Sequence, residues 1–175
     1  YIGTFIPSDE DASGTYTYSL ISGTGSTDNS SFFVRNDSLF CAVALDFEVK
    51  SAYSIRARVS NSSLTFDKQF NLNVVNDNDA PTDIVLSNTF VNEIIAVSSV
   101  IGAFSSLDPD TGNVFSYALV PGSGATNNQQ FLISGNQLRT NTNLNYEQQN
   151  SYSIRVQTSD GNGGTFSFWL DKRDG

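Results

Sequence analysis

Histidine is absent from this chain of 175 residues, and cysteine occurs once, as Cys41. A single cysteine cannot form an internal disulfide, and with no histidine to activate it Cys41 is not expected to act as a nucleophile. We expect Cys41 to fill a strand or its edge as a small side chain. A zinc site is also excluded, because zinc requires several His or Cys ligands.

Long apolar runs are absent too, since none reaches the roughly 18 residues that a membrane-spanning helix needs. The first residues, "YIGTF", lack the charged start and apolar run of a signal peptide, so the chain has the appearance of part of a longer protein. Positive charge is scarce, with 9 Lys and Arg against 18 Asp and Glu and a net charge of −9. Such a chain repels nucleic acid and anionic membrane surfaces, so we expect no nucleic-acid partner and no direct membrane insertion.

Strand-forming and turn-forming residues make up most of the chain. Charged residues account for 15% and apolar residues for 38%, and Phe and Tyr are prominent among the latter. Short segments such as "VFSYALV", "YSIRVQTS" and "TFSFWL" alternate apolar and polar side chains and are bounded by Gly, Asn, Asp or Pro. This period of two predicts short strands, and no long segment has the apolar spacing of a helix. The composition therefore predicts an all-β protein built as a sandwich.

The sequence contains an internal repeat with a spacing of 99 residues, which aligns Tyr1 with Val100. "YSLISGTGSTDNSSF" at Tyr18 aligns with "YALVPGSGATNNQQF" at Tyr117, and "YSIRARVSN" at Tyr53 aligns with "YSIRVQTSD" at Tyr152. The alignment runs without insertion to about residue 63. We therefore expect two copies of one β module.

Carboxylates recur at equivalent positions of the two copies, next to turn residues. Asp108 and Asp110 align with Asp9 and Asp11, and Glu147 aligns with Glu48. Strand ends gather at the poles of a sandwich, so stacked modules would bring such groups close together. Two like charges about 5 Å apart repel by roughly 3 kcal/mol at an effective dielectric of 20, so the groups need a counter-charge. Ca²⁺ fits best, because it takes 6–8 oxygen ligands in flexible geometry, whereas Mg²⁺ prefers a stricter octahedron.

Five short motifs occur in a fixed order, and together they resemble the cadherin repeat. They are "LDFE" at Leu45, "NDNDAP" at Asn76, "VNE" at Val91, "DPD" at Asp108 and "SDG" at Ser159. The sequence around these motifs is most similar to the cadherin-like repeats of large bacterial surface proteins. This resemblance implies two tandem Greek-key β-sandwiches, immunoglobulin-like in architecture, with limits 1–79 and 80–175. We expect the first to lack its opening strand and the second to be cut before its closing linker.

The resemblance further implies one calcium cluster at the junction of the modules. Its expected ligands come from the first module, the linker and the second module: Asp46, Glu48, Asn76, Asn78, Asp79, Asp108, Asp110, Asn113 and Asp160. Asp77 is an alternative to Asn76, and an early glutamate that the family uses is missing, so we expect fewer than the family's three ions. Outer positions such as Asp9, Asp11, Glu93 and Glu147 are not expected to form full sites.

Three functions are compatible with these features. The first is a calcium-rigidified tandem module of an extracellular or cell-surface adhesion protein, whose expected partners are neighbouring repeats of the same protein and either other adhesin chains or surface carbohydrate. The second is a carbohydrate-binding module, for which Tyr16, Phe47 and Trp169 are candidates, although "FSFWL" favours a core position for Trp169. The third, glycoside hydrolysis by paired carboxylates, is disfavoured because the carboxylates recur in both copies and histidine is absent. We therefore expect no enzymatic activity.

Overall fold

A computed structural model describes residues 1–8, 15–61, 63–93 and 95–171 of the chain. The chain divides into two compact units, Tyr1–Asp77 and Asn78–Gly175. The expected limits of the repeats, 1–79 and 80–175, stay a prediction.

The first unit, unit 1, contains two antiparallel sheets of three strands each, ordered β1-β4-β3 and β2-β5-β6. Its strands are β1 (Gly3–Thr4), β2 (Thr17–Leu20), β3 (Phe32–Arg35), β4 (Ser38–Cys41), β5 (Ala52–Ser60) and β6 (Thr65–Asn73). A short 3₁₀ helix, Asn29–Ser31, precedes β3. The two sheets pack face to face, as the alternating sequence predicts.

The core of unit 1 centres on Phe32, Leu39 and Ile55, which are all buried. Phe32 and Leu39 come from one sheet and Ile55 from the other, so these residues join the two layers. Cys41 ends β4 and is packed against this core, as expected for a small apolar side chain. Several further apolar residues around the core are only partly buried.

The second unit, unit 2, has the same arrangement with one more strand, and its sheets are ordered β7-β8-β11-β10 and β9-β12-β13. Its strands are β7 (Asp83–Leu86), β8 (Val100–Leu107), β9 (Ser116–Leu119), β10 (Phe131–Ser134), β11 (Gln137–Thr140), β12 (Ser153–Ser159) and β13 (Thr165–Asp171). A 3₁₀ helix, Asn128–Gln130, precedes β10. β7 pairs with β8, and the described part of unit 1 has no strand in the equivalent place.

The core of unit 2 is larger, with eight buried apolar residues that both sheets contribute. Ile84 on β7 is 4% exposed, so the extra strand covers the core at this edge. Burying an apolar side chain of this size stabilises a fold by about 1.5–3 kcal/mol. The extra strand therefore accounts for part of the difference between the two cores.

A glycine-rich loop in unit 1 is held against a neighbouring strand by polar side chains. The side chain of Asn29 accepts a hydrogen bond from the N–H of Arg56 (3.0 Å) and donates one to the carbonyl of Ile21 (2.8 Å). Its neighbour Asp28 accepts from the N–H of Ser54 at 2.8 Å. These bonds tie the loop to the middle of β5.

The equivalent loop in unit 2 makes the same bonds from aligned residues. Asn128 accepts from the N–H of Arg155 and donates to the carbonyl of Val120, both at 2.9 Å. Asn127, aligned with Asp28, accepts from the N–H of Ser153 at 2.9 Å. The sequence repeat is thus matched by a repeat in hydrogen bonding. The expected fold class, two tandem all-β sandwiches, is confirmed.

Candidate metal centre

Asp160 lies at the end of β12 and is 1% exposed. Its Oδ1 accepts hydrogen bonds from the backbone N–H groups of Asn162 (2.7 Å) and Gly164 (3.0 Å). A buried carboxylate is costly unless such donors replace water. The turn between β12 and β13 is therefore wrapped around this carboxylate.

Asn78 connects the start of unit 2 to the same carboxylate. Its Nδ2 donates to Asp160 Oδ2 at 2.8 Å and to the carbonyl of Asp79 at 3.0 Å. The hydrogen bond from Asn78 lowers the pKa of Asp160 below its ordinary value, and the backbone N–H groups of the turn add to this while burial opposes it. Asp160 is thus held as a carboxylate, the form that binds a cation.

Gly164 sets how closely the segment at 78–80 approaches the turn. A Cβ at this position would lie 2.2 Å from Asp160 Oδ2, 2.8 Å from the Cα of Ala80 and 3.0 Å from the carbonyl oxygen of Asp79. The Cα of Ala80 belongs to the backbone and cannot move aside as a flexible side chain could. Glycine is therefore required here by close backbone approach, a feature that the sequence analysis missed.

Asp108 and Asp110 follow β8 and face the same segment. Asp108 Oδ1 accepts from the N–H of Asp110 at 2.9 Å, and Asp110 Oδ2 accepts from the N–H of Asp79 at 2.7 Å. The second oxygen of Asp108, Oδ2, is buried and has no hydrogen-bond partner among the described residues. An unsatisfied buried carboxylate oxygen is unusual, because leaving it unpaired costs more than 1–3 kcal/mol, the range for neutral groups.

Asn113 and Asn162 complete the polar surroundings. Asn162 Nδ2 donates to Asn113 Oδ1 at 3.1 Å, and Asn113 Nδ2 lies 3.4 Å from the carbonyl of Asp110. Asn113 was expected at the site, whereas Asn162 was not. The position of Asn162 two residues after Asp160, in "DGNGG", was the sequence feature that could have indicated its place at the site.

The structure therefore brings together six of the nine expected ligands in unit 2. Two of them begin the unit, and the other four lie in the loops that follow β8 and β12. The six are Asn78, Asp79, Asp108, Asp110, Asn113 and Asp160. Within the part of the chain that is described, no three Asp, Glu, His or Cys residues form a group that could hold a metal by themselves. A site here would need amide or carbonyl oxygens as well, which Ca²⁺ accepts.

The other three expected ligands, Asp46, Glu48 and Asn76, belong to unit 1 and are exposed. Asp46 Oδ1 accepts from the N–H of Val49 at 3.0 Å, which is a turn interaction. Whether these residues join the ligands of unit 2 stays a prediction.

Glu93 and Glu147, the outer carboxylates that the structure describes, make different hydrogen bonds. Glu93 Oε2 accepts from the N–H of Tyr146 at 3.3 Å, and the N–H of Glu147 donates to Asn145 Oδ1 at 2.9 Å. Asp9 and Asp11 lie outside the described residues.

The aromatic candidates for sugar binding differ in exposure. Trp169 is 47% exposed and Phe47 is 37% exposed, whereas Tyr16 is half-buried. The expectation that Trp169 is a core residue was wrong. On β13 the side chains alternate, so Phe166 and Leu170 pack on the core and Trp169 points to the opposite face.

Known structures resemble nearly the whole chain in fold. Human protocadherin-24 EC1-2 (form II) matches with a TM-score of 0.69 and 22% identity, over 97% of this chain and 85% of that chain. A protocadherin gammaB7 EC3-6 cis-dimer structure matches with a TM-score of 0.55 and 21% identity, over 91% of this chain and 39% of that chain. No family model and no curated protein matches the sequence.

These similarities define the class of fold, because identities this low carry no further information. The two units are cadherin-like β-sandwiches arranged in tandem along one chain. Within the described residues, no helix has the length and apolar character needed to cross a membrane.

Proposed function

We propose that this chain is a calcium-binding pair of tandem extracellular modules from a cell-surface adhesion protein, of the kind found in large bacterial surface proteins. The observation that carries the proposal is the buried Asp108 Oδ2, which has no hydrogen-bond partner among the described residues. It lies on a residue whose other oxygen fixes Asp110, and Asp110 in turn contacts the N–H of Asp79. A cation would satisfy this oxygen.

The donor set suits Ca²⁺, because all its atoms are oxygens of carboxylates, Asn side chains or backbone carbonyls. Bound calcium would supply positive charge that offsets the mutual repulsion of the carboxylates. Asp108, Asp110, Asp79 and Asn113 would hold the ion. Asp160 would contribute after its hydrogen bond with Asn78 is released or shared.

The proposed role of the metal is mechanical. Asp46, Glu48 and Asn76 of unit 1 would bind the same ions, so metal would favour one alignment of neighbouring repeats over others. An affinity of about 10⁻⁴–10⁻³ M is enough for extracellular modules. The partners would be neighbouring repeats and other adhesin chains, and no catalytic activity is assigned.

The test is isothermal titration of the full chain with CaCl₂, and with MgCl₂ in parallel. We expect saturable heat with calcium, weakened at least about tenfold in Asp108→Asn and in Asp110→Asn, since ligand charge tunes affinity over decades. Asp37→Asn, an exposed carboxylate in the β3–β4 turn, is the matched control and should bind as the unchanged chain does. Equal binding by all variants, or no binding at all, would remove the proposal.

A second candidate is carbohydrate binding, which the exposure of Trp169 and Phe47 favours. Exposed rings can stack on the apolar face of a sugar. A glycan array probed with the full chain, with and without calcium, tests it. Binding that is lost in Trp169→Ala supports this function, and an array without signal excludes the sugars it displays.

A further inference from the structure

We propose that Asn162 is a site of spontaneous deamidation, and that this reaction changes the calcium affinity of the pole formed by Asp108, Asp110 and Asp160. The second half of the inference rests on the function proposed above. Asn162 is followed by Gly163, and no other Asn-Gly pair occurs in the sequence. Glycine after asparagine leaves the backbone nitrogen unhindered.

The turn around Asn162 is exposed and is built on glycines. Residues 161–163 are exposed, and both Gly161 and Gly163 have positive φ angles, +85° and +112°. A Cβ built at Gly163 would meet nothing within 4 Å, so the Cα of this residue faces open space, while its backbone N–H is a donor to the Asp160 carboxylate. The side-chain amide of Asn162 is restrained by one exposed hydrogen bond, to Asn113.

The chemistry needs only water. The backbone nitrogen of Gly163 loses its proton and attacks Cγ of Asn162, which forms a new C–N bond. The bond from Cγ to Nδ2 breaks, and the side-chain nitrogen leaves as ammonia. Water then opens the resulting succinimide at either carbonyl, which yields aspartate or isoaspartate. One water is consumed in total, one ammonia is released, and no oxidation state changes.

The product alters the pole in two ways. Asn162 Nδ2 now donates to Asn113 Oδ1 at 3.1 Å, and an aspartate cannot make that bond. Asn113 Oδ1 is therefore released, and a new carboxylate is placed next to it. Both changes add oxygen acceptors to the same surroundings, so the normal aspartate product should bind calcium more tightly.

Other asparagines serve as internal controls. Asn61 follows β5 at the register that Asp160 has in unit 2, and its Oδ1 accepts from the N–H groups of Ser63 (3.0 Å) and Leu64 (2.8 Å). Asn113 is followed by Val114, whose branched side chain hinders attack by its nitrogen. Both should resist deamidation under conditions that convert Asn162.

The first experiment incubates the full chain at mildly alkaline pH and maps deamidation by peptide mass spectrometry over time. We expect conversion at Asn162 well ahead of Asn61 and Asn113, and no conversion at this position in Asn162→Gln, which would need a larger ring. Conversion at Asn162 no faster than at the two control asparagines would overturn the inference.

The second experiment compares calcium binding by Asn162→Asp and Asn162→Gln. We expect the aspartate variant to bind about tenfold tighter, because an added ligand charge raises affinity over this range. Equal affinities overturn the link to calcium. Calcium binding with an Asn162 that never deamidates refutes this inference alone. Deamidation in a chain that binds no calcium refutes the proposed function and the link to calcium, and leaves the deamidation site standing.

Discussion

Two turns at equivalent places of the two units show how a shared framework takes on different chemistry. Between β5 and β6, Asn61 accepts hydrogen bonds from the backbone N–H groups of Ser63 and Leu64. After β12 the turn covers residues 160–164, and Asp160 accepts two N–H groups in the same manner. Asp160 also accepts a hydrogen bond from the side chain of Asn78, whereas the hydrogen bonds described for the Asn61 side chain come from its own turn.

The difference teaches that the turn needs only an oxygen acceptor, which an amide supplies as well as a carboxylate. The negative charge and the additional residue of the second turn are therefore not explained by turn formation. We attribute both features to the segment at residues 78–80. This segment packs against Gly164, and its Asn78 side chain donates a hydrogen bond to the Asp160 carboxylate. This is the physical basis for assigning the pole of unit 2 a function beyond its fold.

The largest test of the comparison concerns the cores. Ile55 is 0% exposed and Ile154 is 5% exposed at the same register. Ile154→Ala and Ile55→Ala should each destabilise their own unit by about 3 kcal/mol, through lost burial and the cavity left behind. Trp169, the one tryptophan, reports urea unfolding of unit 2 by fluorescence.

Ile154→Ala should therefore move the tryptophan transition, and Ile55→Ala should leave it in place while amide NMR signals of β5 are lost earlier. If both variants moved the tryptophan transition equally, the two units would unfold as one, and the comparison of separate cores would fail.

The second test exploits two glycines with the same backbone and different neighbours. Gly25 and Gly124 both have φ of +82°. A Cβ on Gly124 would lie 2.4 Å from the Cβ of Trp169, whereas a Cβ on Gly25 would meet the movable end of Gln69. Gly124→Ala should cost about 3 kcal/mol and Gly25→Ala about 1 kcal/mol, since only the former adds a clash to the left-handed strain.

The measurement is thermal unfolding of both alanine variants beside the unchanged chain, with tryptophan fluorescence for unit 2 and amide NMR signals for unit 1. Equal costs would show that the neighbour is irrelevant and that only backbone strain matters.

The third test asks whether the repeated loops are energetically equal. Asn29→Ala and Asn128→Ala each leave one N–H and one carbonyl without their partners. We expect similar losses of about 2 kcal/mol in the two units, given 1–3 kcal/mol for an unsatisfied group and partial access of water. Urea unfolding with the same two reporters measures this. A large loss of unfolding free energy in one unit alone would show that the two loops contribute unequally to stability despite their equivalent hydrogen bonds.

The smallest expected effect is the response to acid. Hydrogen bonds from Lys50 and Arg58 lower the pKa values of Asp28 and Asp67 in unit 1, and the bond from Asn78 lowers that of Asp160 in unit 2. Each folded-state pKa lies below the unfolded value of about 3.9, so the stabilisation is complete above that pH and is lost as the pH falls through the lowered pKa.

Unit 1 should therefore lose more stability than unit 2 below about pH 4. Asp160→Asn should flatten the acid response of unit 2 and leave that of unit 1 unchanged, as urea unfolding between neutral and acidic pH will measure. An unchanged slope in this variant would show that Asp160 is not the titrating group.

The parts of the molecule that the sequence predicts well are those that repeat. Alternating side chains give the strands, and the alignment of Asn29 with Asn128 is matched by equivalent hydrogen bonds, each accepted from a backbone N–H 27 residues further along the chain. Asp108, Asp110 and Asp160 were placed at strand ends, where the structure has them.

What the sequence does not predict depends on distant neighbours. The requirement for glycine at Gly164 arises from the backbone of Ala80, which is far away along the chain. The contact between Asn162 and Asn113 joins two loops for the same reason. Trp169 was predicted to be a core residue, but its parity on β13 is opposite to that of Phe166 and Leu170, which pack on the core.

The central claim is that the pole of unit 2 formed by Asp108, Asp110 and Asp160 binds calcium. The equivalent turn of unit 1, which has Asn61 in place of Asp160, is expected not to bind it. The direct measurement is a CaCl₂ titration of the ¹⁵N-labelled full chain followed by amide NMR. The account predicts saturable shifts at Asp79, Asp110 and Asn162, with Ser63 and Leu64 of the other turn unmoved. Shifts of equal size in both turns, or none at Asp110 and Asp79 at millimolar calcium, would contradict it.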